Sequence, residues 1–149
     1  MIRWKPNVTV AAVVERDGRF LIVKEHTDLG IGFNQPAGHL ERGETLSDAV
    51  VRETLEETGW RVTPQALIGV YQAEAAHADI TYLRFAFLCH AIEHLPEQPL
   101  DQGIIEAQWL TREEIISLGA QLRSPSVVRC LDDYLAGQRY PLEMIHTLG

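Results

Sequence analysis

The feature that most restricts the fold is a helix-compatible stretch, residues 45–58, that carries clustered acidic residues and ends at a glycine. Gly59 stands where a left-handed C-cap is expected, so the helix should end there. Spacings of three and four residues place Glu53, Glu56 and Glu57 on neighbouring positions of one helical face. Three close carboxylates repel each other unless a cation lies among them. The pattern therefore predicts a divalent ion with oxygen ligands, and Mg²⁺ suits a site built from carboxylates and phosphate.

A solvated acidic face is the alternative interpretation, and it is the common one for a run of charges. Two observations oppose it. At about 100° per residue, the glutamates continue an apolar stripe of the helix, formed by Leu46, Ala49 and Val50. A face directed at solvent should not share its stripe with apolar residues, although Val51 and Leu55 form a second apolar side. The preceding loop also carries glycines, which would let its backbone approach a bound phosphate or metal.

Segment 38–60 matches a known motif: glycine, five residues, glutamate, seven residues, then Arg-Glu-aliphatic-x-Glu-Glu-x-Gly-aliphatic. Identity and spacing agree at Gly38, Glu44, Arg52, Glu53, Glu56, Glu57 and Gly59. Thr54 and Trp60 stand where aliphatic residues are usual, and both are packing positions. The segment resembles the Nudix box, and so many fixed positions make the resemblance specific.

The resemblance implies an α+β protein with the Nudix fold, a mixed β-sheet sandwiched between α-helices. It also implies one domain over residues 1–149, with the box at 38–60. Gly38, Glu44, Arg52 and Gly59 would be the structural positions of the box. Arg52 and Glu44 would orient the glutamate helix, or form a plain stabilising ion pair.

The resemblance further implies hydrolysis by water attack on phosphorus, with Mg²⁺ or Mn²⁺ as cofactor. Metal ligands would come from Glu53, Glu56 and Glu57, together with the carbonyl of Ala37. Relatives take the general base from the box or from a later loop, so Glu53 is the first choice here. Glu106 matches the position of an extra acid before a strand tryptophan. It would be a metal ligand or the base, or else an exposed acid at a strand edge.

Three further segments, 33–41, 122–125 and 137–145, are similar to one branch of the family. Members of that branch remove phosphate from hydroxymethylpyrimidine diphosphate, thiamine diphosphate and some nucleoside di- and triphosphates. Two alternatives stay open: a pyrophosphohydrolase that removes oxidised nucleoside triphosphates, and a non-catalytic domain that senses a ligand. Sensors generally lose box carboxylates, and this chain retains all of them.

Substrate contacts are expected at Arg84, Gln35 and Lys24. Arg84 interrupts the apolar strand 82–87, where alternation places it on one sheet face with Tyr82 and Ala86. That face would form a binding cleft, unless the arginine simply faces solvent. Gln35 would contact either the substrate base or the loop backbone.

Composition limits the partners. A net charge of −8 repels nucleic-acid polymers and anionic membranes, and no run approaches the roughly 18 apolar residues of a membrane span. Cys89 and Cys130 have neither metal-site nor disulfide-framework spacing, so a cytoplasmic protein is expected. The family resemblance implies a small phosphorylated substrate as its partner. The oligomeric state stays open. Ordinary surface or packing roles are expected for His26, His39, His77, His90, His94 and His146.

The remaining pattern mixes strands and helices without regular βαβ alternation. A hairpin is predicted from 8–14 and 20–23 around the turn 16–19, followed by a loop at 28–33. Thr111 and Glu114 form a capping-box pattern that should start a helix. Further strands are predicted at 35–38, 62–71, 81–91 and 106–110, and helices at 111–118 and 126–136.

Overall fold

The computed structural model describes residues 1–75 and 78–149. The strands are β1 (Asn7–Val13), β2 (Glu15–Arg16), β3 (Arg19–Thr27), β4 (Gly30–Asn34), β5 (Ala37–His39), β6 (Trp60–Glu74), β7 (Thr81–His94) and β8 (Ile104–Leu110). The α-helices are α1 (Leu46–Thr58), α2 (Arg112–Ser117) and α3 (Ser126–Leu135). Short 3-10 turns occupy Gly119–Gln121 and Leu142–Met144.

The strands form two sheets rather than one. The first sheet has the order β5-β1-β7-β6, in which β1 and β7 are parallel and the other neighbours antiparallel. The second has the order β2-β3-β4, with β8 antiparallel to β3 along its other edge. The first sheet carries β5 and its box glycine on one edge, next to β1.

The predicted hairpin turn forms, but the strand that pairs with β3 across it is not the expected one. Asp17 and Gly18 both have positive φ, 52° and 78°, as a two-residue hairpin turn requires. The turn joins β3 to the two-residue strand β2, and the Val14 carbonyl accepts the N–H of Leu21 at 3.0 Å, but β1 enters the first sheet. The prediction that 8–14 pairs with 20–23 is therefore wrong for 8–13.

The segment expected to be a loop at 28–33 contains β4, which pairs with β3. Its glycines suggested a loop, but Gly32 serves a close approach instead. A Cβ at Gly32 would lie 2.7 Å from the Cδ of Arg123, whose side chain crosses the strand there. The expected short strand at 35–38 is β5, an edge strand just beyond Pro36, as a proline requires.

The helices follow their local signals closely. The Thr45 hydroxyl accepts the backbone N–H of Asp48, and Gly59 closes α1 in the left-handed conformation, with φ 75°. The capping box of Thr111 and Glu114 is formed at the start of α2. Both ends of α1 are thus fixed by residues within the box region.

Two apolar cores lie on opposite sides of the sheets. Ala49 and Val50 of α1 pack on one side with Val10, Leu67 and Phe87. Residues of α2 and α3 pack on the other, among them Ile115, Val127 and Leu131. The sheets therefore lie between helices, which confirms the expected architecture. Within the described ranges, no helix has the length and hydropathy to cross a bilayer.

Candidate active site

The glutamate face of α1 packs against β5. Oε1 of Glu57 accepts the backbone N–H of Ala37 at 2.9 Å. A Cβ at Gly38 would lie 2.1 Å from the Cδ of Glu53, so only glycine leaves room for that carboxyl group. The contact found at Ala37 is through its N–H, whereas the expected contact was a metal bond from its carbonyl.

Arg52 connects the acidic residues into one network. Its Nε and Nη2 donate to the two carboxylate oxygens of Glu44 at 3.0 and 2.8 Å, and Nη1 donates to Glu53 and Glu56, both at 2.8 Å. Nη2 also donates to the carbonyl of His39 at 3.0 Å. Arg52 therefore does more than pair with Glu44: it orients two box glutamates and ties α1 to β5.

Asp101 joins this cluster from the segment between β7 and β8. Carboxylate oxygens of Glu53, Glu56 and Asp101 all lie within 4.8 Å of one another. The backbone N–H of Asp101 donates to the carbonyl of Glu56 at 2.9 Å, which anchors the segment on α1. Sequence reasoning missed Asp101, because no motif or periodicity marks an acid in an irregular segment.

Glu25 of β3 adds a further carboxylate on the Glu57 side. Its carboxylate pairs with Nη1 of Arg123 at 2.9 Å, and it remains largely buried, with 17% of its side chain exposed. Its negative charge raises the pKa of Glu57. Glu25 was also missed, because its neighbours in the sequence resemble those of any charged strand end.

Electrostatics at the cluster favour neutralisation. The pKa of Glu57 is raised to about 8, chiefly by burial and also by the charges of Glu53, Glu25 and Asp101, while the hydrogen bond from Ala37 acts to lower it. Burial likewise raises the pKa of Glu53, Glu25 and Asp101. A bound cation would remove this penalty, because it stabilises the charged form of each carboxyl group.

Glu106, the acid expected to join the site, lies elsewhere. Its exposed carboxylate accepts a hydrogen bond from Gln108 at 2.6 Å and borders a separate cavity of about 390 Å³ beside Trp60 and Trp109. Among the described residues, the metal-compatible acidic group includes Asp101 and not Glu106. Glu106 thus lies at an exposed position of β8, which agrees with the alternative interpretation of it as an exposed acid at a strand edge.

A cleft of about 1170 Å³ opens next to the carboxylates. Glu53 and Glu57 line it, and so do Arg84, Arg123 and Tyr82. Its remaining wall includes β5, Thr9 of β1, the turn between β3 and β4, the ends of β6 and β7, and residues of the segment 119–128. Arg84 and Tyr82, which alternation places on one sheet face, thus both border the cleft, whereas Ala86 is buried.

The other two expected substrate contacts, Gln35 and Lys24, do not line the cleft. Gln35 is 3% exposed and bonds Arg84 and the carbonyl of Val127, beneath the cleft surface. Lys24 is not among the residues that line the cleft; it pairs with Phe33 and Glu106 in the second sheet. Among the histidines, only His39 borders the cleft within the described chain, and His77 lies outside the described residues.

Comparisons with known proteins agree with this geometry. Residues 4–130 match the family model described as the NUDIX domain. The chain belongs to the Nudix family. It is 45% identical over 142 residues to Phosphatase NudJ of Escherichia coli strain K12, covering 95% of this chain and 92% of that protein. The Shigella flexneri protein of the same name matches equally.

Solved structures extend the agreement. A NUDIX hydrolase from Nitrosomonas europaea superposes with a TM-score of 0.94 at 46% identity, covering 97% of this chain and 98% of that one. A UDP-X diphosphatase structure has a TM-score of 0.76 at 19% identity, covering 95% and 68% of the two chains, and shows the shared fold alone. The chain is a Nudix hydrolase, of the phosphatase and pyrophosphohydrolase kind that acts on small phosphorylated substrates.

Proposed function

We propose that this Nudix hydrolase uses Mg²⁺ to cleave a phosphoanhydride bond in a small diphosphate or nucleotide, releasing phosphate. Hydroxymethylpyrimidine diphosphate, thiamine diphosphate and nucleoside di- and triphosphates are the proposed substrates. The observation that carries the proposal is the cluster of Glu53, Glu56 and Asp101 beside a cleft of small-molecule size. The relatives named Phosphatase NudJ support phosphate as the product.

The donor set fits magnesium. Glu53 and Glu56 each give one oxygen to Arg52, which leaves the other oxygen of each free as a ligand. Asp101 brings a third carboxylate, and carboxylates are the oxygen ligands that Mg²⁺ and Mn²⁺ prefer. Glu57 and the carbonyl of Ala37 would complete the protein ligands. A bound magnesium ion would supply a water of lowered pKa and neutralise charge on the phosphate oxygens.

The chain's own groups would move the proton. Glu53 is the proposed general base, since its carboxyl group is held between Arg52 and the backbone of Gly38 and borders the cleft. Asp101 takes the role of the later acid that was first expected at Glu106. Glu53 would take a proton from the attacking water, and the resulting hydroxide would attack phosphorus as the bridging P–O bond breaks. The bridging oxygen keeps the electrons of that bond, so a diphosphate substrate would give inorganic phosphate and the corresponding monophosphate.

The whole chain is proposed to act as one domain. Leu142 and Ile145, near its end, pack on the same apolar core as Val10 and Val50. The C-terminal segment thereby contributes to the core that supports α1.

Two other functions define the alternatives in the test. A sanitising pyrophosphohydrolase would prefer an oxidised purine triphosphate and release pyrophosphate. A non-catalytic sensor would bind one of these ligands without turnover. The complete set of box carboxylates favours an enzyme.

The deciding experiment measures phosphate and pyrophosphate release separately, for each proposed substrate and for an oxidised purine triphosphate. Each reaction runs with Mg²⁺, with Mn²⁺ and with chelator. Phosphate release that needs the metal and is fastest with a diphosphate supports the proposal. Preferential pyrophosphate release from the oxidised triphosphate, or tight binding without turnover, overturns it.

Glu53→Gln and Glu57→Gln test the site directly. Each removes a negative charge but nearly keeps the volume, so turnover should fall by about two or more orders of magnitude while the fold persists. Glu113→Gln, the same change at an exposed position on α2, is the matched control and should retain full activity. Full activity of either site variant would remove that glutamate from the proposed mechanism.

A further inference from the structure

Arg84 of β7 is a buried cation in the floor of the cleft. Only 7% of the residue is exposed, and in the sheet it lies between Thr9 of β1 and Tyr71 of β6. Its Nη2 donates to Oε1 of Gln35 at 2.5 Å and to Oδ1 of Asn34 at 3.4 Å. Its Nε is buried and has no hydrogen-bond partner among the described residues.

No carboxylate among the described residues balances the charge of Arg84, in contrast to Arg123. Arg123, which also lines the cleft, pairs with Glu25 at 2.9 Å. Within residues 1–75 and 78–149, Arg84 meets the neutral amides of Gln35 and Asn34 and the thiol of Cys130, and no carboxylate forms a salt bridge with it. Burying an unpaired guanidinium is costly, so an anion that enters the cleft would gain from meeting it.

Gln35 fixes the position of this guanidinium. Its Nε2 donates to the carbonyl of Val127, on α3, at 2.7 Å, so its Oε1 is left to accept from Arg84. With 3% of the residue exposed, Gln35 is below the surface that a ligand would contact. Gln35 was expected to contact either the substrate base or the loop backbone; its contacts in the structure are the backbone of α3 and the guanidinium of Arg84.

We propose that Arg84, held by Gln35 against α3, binds a phosphate oxygen of the substrate, apart from the carboxylates that hold the metal. The inference rests on the proposed function and deepens it. A substrate with two linked phosphate groups can bind Arg84 with one and the metal with the other. A monophosphate can bind only one of the two. Arg84 thereby makes the site select diphosphates, and Gln35 acts as a positioning residue.

Binding of methylenediphosphonate, which cannot be hydrolysed at its P–C–P bridge, tests this without turnover. Calorimetry at fixed excess Mg²⁺ compares the wild type with Arg84→Met. The loss of a charged hydrogen bond should weaken binding roughly tenfold to a hundredfold. Methylphosphonate binding should change much less. Arg139→Met is the matched control and should bind like the wild type, because Arg139 is exposed and lies over the Tyr134 ring, centroid distance 5.1 Å.

Two further variants keep Arg84 in place. Asn34→Asp sets a carboxylate beside Nη2 and should neutralise the guanidinium, which again weakens diphosphonate binding about tenfold. Gln35→Met removes the support, and should raise KM for a diphosphate substrate more than it lowers kcat. If Arg84→Met fails to fold, these two variants test whether Arg84 binds a phosphate group of the substrate.

The outcomes separate this inference from the proposed function. A wild type that binds methylenediphosphonate but turns over no substrate contradicts the proposed function alone. Diphosphonate affinity within about twofold of wild type in folded Arg84→Met, or in Asn34→Asp if Arg84→Met does not fold, overturns the inference. Equal losses for the diphosphonate and the monophosphonate would also overturn it, since the selectivity would then lie elsewhere.

Discussion

At the scale of single residues, the contact between Gly38 and Glu53 explains the glycine that opens the box. Gly38 does not have positive φ, so its backbone conformation is open to other residues. The restriction is spatial, since an added Cβ would lie 2.1 Å from the Cδ of Glu53 and 2.3 Å from each carboxylate oxygen. The glycine is therefore required by the carboxyl group it faces.

Gly38→Ala should displace Glu53, and so lower both stability and turnover. Forcing a methyl group into this contact should reduce the free energy of unfolding by about 1–3 kcal/mol. Denaturant titration and steady-state kinetics would measure the two effects. In a Glu53→Asp background the shorter side chain leaves room, so the same glycine change should cost clearly less. Equal costs in both backgrounds would show that Glu53 does not cause the restriction.

The site residues were predictable where the motif is continuous and not where the chain returns from a distance. The box glutamates, Arg52 and Gly38 were recognised because the helical period and the motif fix their relation. Asp101 reaches the cluster through a backbone bond to Glu56 from an irregular segment, which has no period to read. Glu106 was a candidate because it matches the family position of an acid before a strand tryptophan, but on β8 it borders the other cavity.

At the scale of elements, α1 depends on its caps because it carries acidic residues along one face. Thr45 begins the helix with a hydrogen bond to the N–H of Asp48 at 3.0 Å. Gly59 ends it and accepts the N–H of Leu95 at 2.8 Å. Thr45 thus fixes the start of α1, whereas Gly59 fixes the end that carries the glutamates and also holds the segment that leads to Asp101.

Thr45→Ala should destabilise the protein by about 0.5–2 kcal/mol, since one N–H of the first turn loses its acceptor. Thr45→Ser keeps a hydroxyl and should stay within a few tenths of a kcal/mol of the wild type. Denaturant unfolding measures both. Turnover per folded molecule should be unchanged in either variant, because Thr45 lies outside the cleft lining. If Ser destabilises as much as Ala, the cap hydrogen bond is not the cause.

Helices and strands were not equally predictable. Caps and helical periods are local, so α1, α2 and α3 begin and end close to the expected residues. Strand pairing is not local: β1 pairs with β7, and only β2 completes the hairpin with β3. A turn signal predicts that the chain reverses, but the sheet that each strand enters is decided by packing across the whole chain.

At the scale of the whole molecule, several of the acidic residues are grouped in one region. The net charge is −8, and Glu25, Glu53, Glu57 and Asp101 all have a raised pKa around one cleft. Without a cation, these groups favour protonation in the folded state, because burial penalises their charged forms. The stability of the metal-free protein should therefore depend on pH in the range where the unfolded chain is already ionised.

The sign follows from Glu57, whose pKa is raised from 4.5 to about 8. Between these values the folded protein holds a proton that the unfolded chain has released. The stabilisation that protonated Glu57 gives the folded state is therefore complete below pH 4.5, and it is lost as the pH rises through 8. Glu53, Glu25 and Asp101 have the same sign, whereas the lowered pKa of Glu44 keeps its titration below this window.

In chelator, Tm of the wild type should fall between pH 5 and pH 8, and Glu57→Gln should flatten that fall because the amide does not titrate. Scanning calorimetry measures both proteins, with Glu113→Gln as control. Magnesium is proposed to bind the folded state, and at a hundred times its Kd it should add roughly 2.7 kcal/mol to the free energy of unfolding. Because it competes with protons for the carboxylates, its effect on Tm should be larger at pH 8 than at pH 5. A wild-type Tm that is unchanged or rises over this range, with no difference in Glu57→Gln, would contradict the assignment of Glu57 as a buried, cation-dependent carboxylate.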